Sequence, residues 1–337
     1  MATIKDVAHK AGVSAATVSR VLNGHPYVAD DLRSRVLDAV QALSYRPNRV
    51  AQRLRAAKSH LVGVIFSDIR NPFNTLALSG IEQVLAEQGL SVLICHSNIH
   101  QKRENDFIAL MLAEDVAGLI IAPVKEESQA LTEAVQNGLP VVVIDRRMTK
   151  PRTDAVLADN HHGAYIAVQH MIELGHRDIA ILNGPQHLAS GRERYAGFLQ
   201  AMEEAGLPVN PAFVKYGDYQ IQSGYVLTAE LLAQRPLPSG LFIANNLMTL
   251  GALNAIHESG INIPNEIAVI GFDDLPWAVS LNPPLTTVGQ PAINIGVQAA
   301  ELLLNRFEHP DRPPRTVVLG TELIVRASCG SVVRARP

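Results

Sequence analysis

The chain has 337 residues, 47% of them hydrophobic and 18% charged, which is too long for one ordinary domain and apolar enough to fill two or three cores. Its two cysteines, Cys95 and Cys329, stand far apart, which excludes a disulfide framework and suits a reducing compartment. No apolar stretch opens the chain and no run approaches the roughly eighteen residues of a membrane span, so a soluble, cytoplasmic protein without membrane contact is expected. The net charge of −3 hides an asymmetry: residues 1–59 carry +6 and the remainder −9. A basic head on an acidic body is the distribution that nucleic-acid binding through the head needs.

In chain order, Ile4, Val7, Ala8 and Ala11 recur at helical spacing and predict a helix over residues 4–11. Gly12 turns the chain, and Ser14 caps a second helix by accepting from the N–H of Ala16 or Thr17. On that helix Val18, Val21 and Leu22 point inward, and Gly24 is placed as its stop. Two short helices joined by a glycine turn form a helix-turn-helix, which lays its second helix in a DNA major groove. The exposed face carries Ala15, Ala16, Ser19, Arg20 and Asn23. Small residues there permit close approach and contact with a thymine methyl, while the Arg20 fork matches guanine O6 and N7. An ordinary helical hairpin with a solvated Arg20 is the alternative. Leu32, Val36, Val40 and Leu43 predict a third helix over residues 31–44, closing a three-helix core. Pro47 then opens a very short helix whose Val50, Ala51 and Leu54 share a face flanked by Arg49, Arg53 and Arg55. A leucine between arginines suits a minor-groove wedge; a basic linker is the other reading.

The opening MATIKDVA, the AGVS-x-x-TVSRVLN run and the YRPNRVAQRL segment resemble, in order and spacing, the headpiece of the lactose-repressor family, most closely its purine-repressor branch. The resemblance implies a DNA-binding transcriptional regulator, expected to be a repressor, whose contacts with double-stranded DNA come from Thr3, Ser14, Ala15, Ala16, Thr17, Arg20, Asn23, Asn48, Leu54 and Arg55. Ala15, Ala16 and Arg20 would face the bases, and Leu54 would wedge into the centre of a palindromic operator. Hinge helices pair across a homodimer in this family, and a lone headpiece reads only one half-site.

Beyond residue 60 short apolar runs at Leu61–Phe66, Ser91–Cys95, Gly118–Ala122 and Val141–Ile144 alternate with amphipathic stretches such as Leu76–Gln88 and Glu104–Ala113. A second set follows at Ala155–Leu157, Ile179–Leu182, Phe213–Tyr216, Gly240–Ile243 and Ile267–Gly271. This alternation predicts an α/β fold with two parallel sheets covered by helices and a ligand cleft at the carboxyl ends of their strands. Residues 60–329 resemble the periplasmic sugar-binding-protein fold, in which the chain crosses three times between subdomains. The crossings are expected near Asp159–Asn160, Gly289–Pro291 and Thr321–Glu322. The expected organisation is therefore a headpiece at 1–46, a hinge at 47–59, an effector domain at 60–329 and a tail at 330–337. Within the effector domain, residues 60–159 and 291–321 form one subdomain, and 161–289 and 322–329 the other.

Candidate ligand residues follow the strands. Phe73, in Asp68-Ile69-Arg70-Asn71-Pro72-Phe73-Asn74, offers a flat face, and Asp145-Arg146-Arg147 can exchange hydrogen bonds with vicinal hydroxyls. In Gly191-Arg192-Glu193-Arg194 the two arginines face different ways; Arg194 is assigned to the cleft, with surface ion pairing as the alternative for both. Trp277 either gates the cleft or fills a subdomain core. His161 and His162 are adjacent with no further ligand at zinc spacing, so no metal and no cofactor are expected. The strand-end pattern resembles that of ribose-binding proteins and implies ligand contacts by Asn71, Phe73, Asp145, Arg146, Arg194, Tyr219, Asn245, Asp273 and Gln290. Two residues depart from that pattern: Asn74 replaces a usual second phenylalanine and Asn246 a usual aspartate. Ribose itself is thereby in doubt. The expected effector is a monosaccharide, a polyol or, given a spare Arg147, a sugar acid, acting as inducer. An enzyme on the same body is disfavoured, because neither a Gly-x-x-x-x-Gly-Lys phosphate loop nor a Gly-x-Ser-x-Gly elbow is present. The C-terminal segment shows no leucine heptad, which argues against a coiled-coil tetramer.

Overall fold

The structure, a computed structural model, describes residues 2–22, 27–43, 45 and 59–330. The chain divides into two units, Met1–Ser59 and His60–Pro337. In the first, α1 (Ile4–Ala11), α2 (Ala15–Leu22) and α3 (Asp30–Ala42) surround a small core of Val7, Ala8, Ala11, Val18, Val21, Val36 and Ala39. Thr3 caps α1 in a reciprocal box with Asp6: Thr3 N–H donates to Asp6 Oδ2 at 2.7 Å, and Asp6 N–H to Thr3 Oγ1 at 3.4 Å. The bond from the Thr3 backbone holds the Asp6 carboxyl below its usual range. Gly12 ends α1 at φ 63°, a left-handed conformation that costs a side-chain-bearing residue about 1 kcal/mol. Arg35 of α3 closes the turn by donating to Ala11 O at 2.7 Å. The third helix ends at Ala42 rather than at residue 44. Gly24, the expected hinge helix and the C-terminal residues from Ser331 lie outside the described residues.

The second unit holds twelve strands among the described residues, in two six-stranded sheets. The first is ordered β11-β5-β4-β3-β1-β2, from β1 (Leu61–Phe66), β2 (Ser91–His96), β3 (Gly118–Ile121), β4 (Val141–Ile144), β5 (Asp154–Ala158) and β11 (Thr316–Leu319). The second is ordered β12-β10-β9-β8-β6-β7, from β6 (Ile179–Asn183), β7 (Val214–Tyr216), β8 (Gly240–Ile243), β9 (Ala268–Phe272), β10 (Thr286–Gly289) and β12 (Glu322–Ile324). Central strands such as β3, β4 and β8 are buried at every position, the pattern of sheets covered on both faces.

Three sequence readings need correction. The strand over Ala155–Leu157 opens no second set: β5 pairs in parallel with β4 and with β11, completing the first sheet. The second sheet is not wholly parallel, since β12 runs antiparallel to β10 at its edge. Phe213 belongs to a 3-10 turn (Pro211–Phe213), and β7 starts one residue later.

Helices cover both sheets. In the first subdomain α4 (Pro72–Glu87) and α11 (Ala292–Glu308) pack side by side against one face of the sheet, burying Phe73, Ala77, Ile81, Leu85, Ile295, Ala299 and Leu303. Their backbones touch where Gly80 and Gly296 cross: a Cβ on Gly296 would lie 1.9 Å from Ala77 O. The opposite face is covered by α5 (Gln101–Ala113) and α6 (Gln129–Gln136). In the second subdomain α7 (Asn160–Glu173) and α8 (Ala189–Glu204) cover one face, and α9 (Ile221–Leu232) and α10 (Asn246–Ser259) the other. No described helix is long and apolar enough to cross a membrane.

Candidate functional site

In the first unit, α2 presents the candidate DNA-reading surface. Ser14 caps it, its Oγ accepting from Thr17 N–H at 3.1 Å. Val18 and Val21 are buried, while Ser14, Ala16 and Arg20 are exposed. Ala16 and Arg20 are four residues apart and share a face of the helix. Ala15 does not belong to a fully exposed face: it is half-buried against the three-helix core, and Ser19 is half-buried as well. Thr3 is exposed at the start of α1, and Thr17 is half-buried. Asn23, Asn48, Leu54 and Arg55 lie outside the described residues.

In the second unit the loops after β1, β2, β4, β6, β7, β8, β9 and β10 converge on one cavity, of about 490 Å³ with its open mouth. It sits at the carboxyl ends of parallel strands, where ligands enter open α/β sheets. Asn71 caps α4 by accepting from Phe73 N–H at 3.0 Å, which sets the Phe73 ring at the start of that helix. Asp68 accepts from Arg70 Nε at 2.9 Å and Nη2 at 2.7 Å. Burial pushes the Asp68 carboxyl up, but the Arg70 hydrogen bonds and charge outweigh it and hold the group below its usual range. Arg146 donates from Nη1 to Pro123 O at 2.9 Å.

From the second subdomain, Arg194 is only 3% exposed. It donates from Nε to Asn160 Oδ1 at 2.9 Å and from Nη1 to Ala244 O, and its guanidinium lies 3.7 Å from the Phe272 ring centroid. Such a stacked, hydrogen-bonded guanidinium holds one position. Asp273 accepts from Gln290 Nε2 and from Asn246 N–H. Burial pushes its carboxyl above the usual range, against the pull of Arg194 and these hydrogen bonds. Tyr219 fits beneath Gly184, where a Cβ would meet the ring at 2.0 Å, and donates to Ser190 Oγ at 3.4 Å. Asp145, Tyr219, Asp273 and Ile99 line the cavity with φ of 65°, 66°, 76° and 60°. Each left-handed residue costs about 1–2 kcal/mol, and such strain collects at ligand clamps.

The profile of bacterial regulatory proteins, lacI family, matches residues 3–48, and that of the periplasmic binding protein-like domain matches residues 168–329. The HTH-type transcriptional repressor PurR of Histophilus somni (strain 129Pt) is 34% identical over 97% of this chain and 99% of its own. The chain belongs to the lacI family of bacterial regulatory proteins. Among solved structures, a lac repressor dimer bound to operator and the anti-inducer ONPF superposes with a TM-score of 0.86 at 29% identity, over 97% of this chain and 99% of that one. A complex of the transcriptional regulator CelR with cellobiose gives 0.73 at 32%, over 97% and 100%. The lacI family comprises regulators of transcription rather than enzymes, and its helix-turn-helix profile covers α1, α2 and α3 here.

In this lacI-family chain all nine residues assigned to the cleft from sequence line the one cavity: Asn71, Phe73, Asp145, Arg146, Arg194, Tyr219, Asn245, Asp273 and Gln290. Their commitments differ. Asn245 caps α10 with Oδ1 and donates Nδ2 to Tyr219 O, so both ends of its amide already serve the fold. Arg147 is not spare: it pairs with Glu193 at 3.4 Å, stands half-exposed and does not line the cavity. Arg192 pairs with Glu126, as its surface alternative holds. Trp277 packs against the core of the second subdomain and is not part of the cavity lining. Among the described residues no cluster suited to a metal ion occurs.

The cavity also takes in Ser67, Asp68, Asn74, Ile99, Ser190, Gln220 and Leu247. Asp68 and Asn74 stood in the motif after β1, and Gln220 follows Tyr219 directly. Ile99 carried no signal in its residue type; only its backbone places it there. Contacts between the subdomains close the cleft: Asn246 Nδ2 donates to Asn71 Oδ1 at 2.8 Å, and Arg70 Nη2 to Gln220 Oε1 at 3.2 Å.

Proposed function

We propose that this regulator is a repressor that binds a palindromic operator as a homodimer and is released from it by a neutral polyhydroxylated effector, a monosaccharide or a polyol. Residues 1–46 read DNA, with Ala16 and Arg20 at base edges, residues 47–59 transmit the signal, and residues 60–329 sense the effector. Cleft closure on the effector biases one arrangement of the subdomains, and the hinge follows.

The observation that carries the effector class is the charge balance of the cleft. Asp68, Asp145 and Asp273 line it with only two guanidinium groups, Arg146 and Arg194, while Arg70 pairs with Asp68 and Arg147 with Glu193. Three carboxylates against two guanidinium groups leave the lining net negative, so a sugar acid is disfavoured. Alternating carboxylates and guanidinium groups beside Phe73 and Tyr219 instead suit a ring or chain of hydroxyls, each able to donate and to accept. The cellobiose complex of a related regulator supports the same class.

The 34% identity with a PurR repressor, which runs over 97% of this chain and so takes in the effector domain, favours a second reading, a purine base stacked on Phe73 and acting as co-repressor. An operator-binding titration with neutral sugars, polyols, sugar acids and purines separates the two. The expected result is weaker operator binding with a neutral sugar or polyol. Stronger binding, or a response confined to acids or purines, overturns the proposal.

A further inference from the structure

Asn74 occupies the first turn of α4 and is 2% exposed. Its Nδ2 donates to Asp68 O at 2.7 Å. A carbonyl oxygen only accepts, so the amide nitrogen must take that side, and Oδ1 is turned away from it. Oδ1 receives no hydrogen bond and is closed off from solvent, yet Asn74 lines the effector cavity together with Phe73 and Asp145. Buried acceptors are nearly always satisfied, and one left without a donor on a residue that lines a cavity points to a ligand donor as its missing partner. A second open atom stands in the same wall: Arg146 Nε makes no hydrogen bond, its nearest carboxylate oxygen, Asp145 Oδ2, being 3.6 Å away. By contrast Asn245 and Gln290 are already engaged. One open acceptor and one open donor in one wall fit a group that both donates and accepts, which a hydroxyl does and a methyl or carboxylate does not.

We propose that Asn74 is a specificity-determining residue of the cleft: its Oδ1 accepts a hydrogen bond from one hydroxyl of a neutral sugar or polyol seated beside Phe73, and the protein thereby rejects the analogue lacking that hydroxyl. This rests on the neutral-effector reading above. A site that hydrogen-bonds a ligand hydroxyl discriminates because the deoxy analogue leaves the buried partner unpaired again.

The test uses the full chain and isothermal titration calorimetry. D-ribose, D-xylose, D-glucose, D-galactose, xylitol and sorbitol serve as probes, with hypoxanthine as an N–H donor of the other class. The single-deoxy and O-methyl derivatives of whichever sugar or polyol binds are then titrated into wild type and Asn74→Leu. One derivative is expected to bind wild type about ten- to a hundredfold more weakly than its parent, and to bind Asn74→Leu with no such loss. Should Asn74→Leu not fold, Asn74→Ala provides the same comparison. Equal losses for every derivative in wild type and variant overturn the role of Asn74 and leave the effector class standing. Binding of hypoxanthine alone, or of none of the probes, overturns the effector class and this inference with it.

Discussion

Asp154, the first residue of β5, is fully buried and surrounded by donors. Arg312 reaches it twice, Nη1 to Oδ1 at 2.8 Å and Nη2 to Oδ2 at 2.9 Å. Arg306 adds Nε at 3.0 Å and Nη2 at 2.8 Å, and Arg315 N–H donates at 2.8 Å. This carboxylate fastens the end of α11 and the loop that returns the chain to the first sheet as β11. Asp154→Ala would leave two guanidinium groups, 13% and 9% exposed, without their counter-charge. Removing one partner of a buried, hydrogen-bonded pair costs about 3–5 kcal/mol, and at roughly 2 °C per kcal/mol for a body of this size the midpoint should fall by roughly 6–10 °C. Scanning calorimetry in low and high salt is the assay. Because the pair is buried, the loss should persist in high salt, where exposed pairs are screened. A fall of less than about 2 °C, or one that vanishes with salt, would refute the assignment of this cluster as the anchor of β11.

Arg194→Met should lower effector affinity at least tenfold, since it removes the one guanidinium of the second subdomain that lines the cavity; titration calorimetry reads it, and unchanged affinity counts against the cleft. Arg20→Ala should cost about 1–3 kcal/mol of operator binding and relax base preference, with non-specific binding little changed, as measured by competition against unrelated DNA. Leu54→Ala, in the hinge sequence, should weaken specific far more than non-specific binding in the same assay; equal losses would remove the wedge. Asp68 and Asp274 are held below the usual carboxyl range, burial notwithstanding, by Arg70 and by Arg326. Unfolded carboxyls therefore take up protons first, so the stability these two supply is present above about pH 4 and lost as pH falls through their lower folded values. Asp273 works the other way, its raised carboxyl costing stability as pH rises above about 4. Asp274→Asn should flatten the acid limb of a urea-unfolding series below about pH 4, and an unchanged limb would refute the Arg326 assignment.

Much of this was legible along the chain. The spacing of Ile4, Val7, Ala8 and Ala11 and the cap at Ser14 give α1 and α2 because a helix face is a local property, set by residues three and four apart. The run Leu61–Phe66 is a strand for the same reason, every residue after the first being buried between helix layers. The cleft residues were visible because parallel strands deliver their following loops to one edge of the sheet, so strand-end polar residues such as Asp145, Asn245 and Asp273 must gather there. Short strands near the C-terminus, β10 and β11, were harder to see: each is four residues long, and β11 is only partly buried.

Which partner each group takes was decided elsewhere. Arg146 and Arg147 are neighbours of one type, and sequence could not say that the first lines the cavity while the second meets Glu193, 46 residues away. Strand β5 follows β4 after the short connection 145–153 and still joins it in parallel, an orientation that the length of the connection does not reveal. Ile99 reaches the cavity through a left-handed backbone that its side chain disfavours. The sequence by itself determined the elements, the basic head and the kind of chemistry at the strand ends, all of which depend on neighbours in the chain. Only the tertiary structure decided which charges meet one another and which atoms, Asn74 Oδ1 and Arg146 Nε among them, are left without a hydrogen bond, because pairing depends on distances between segments far apart in sequence.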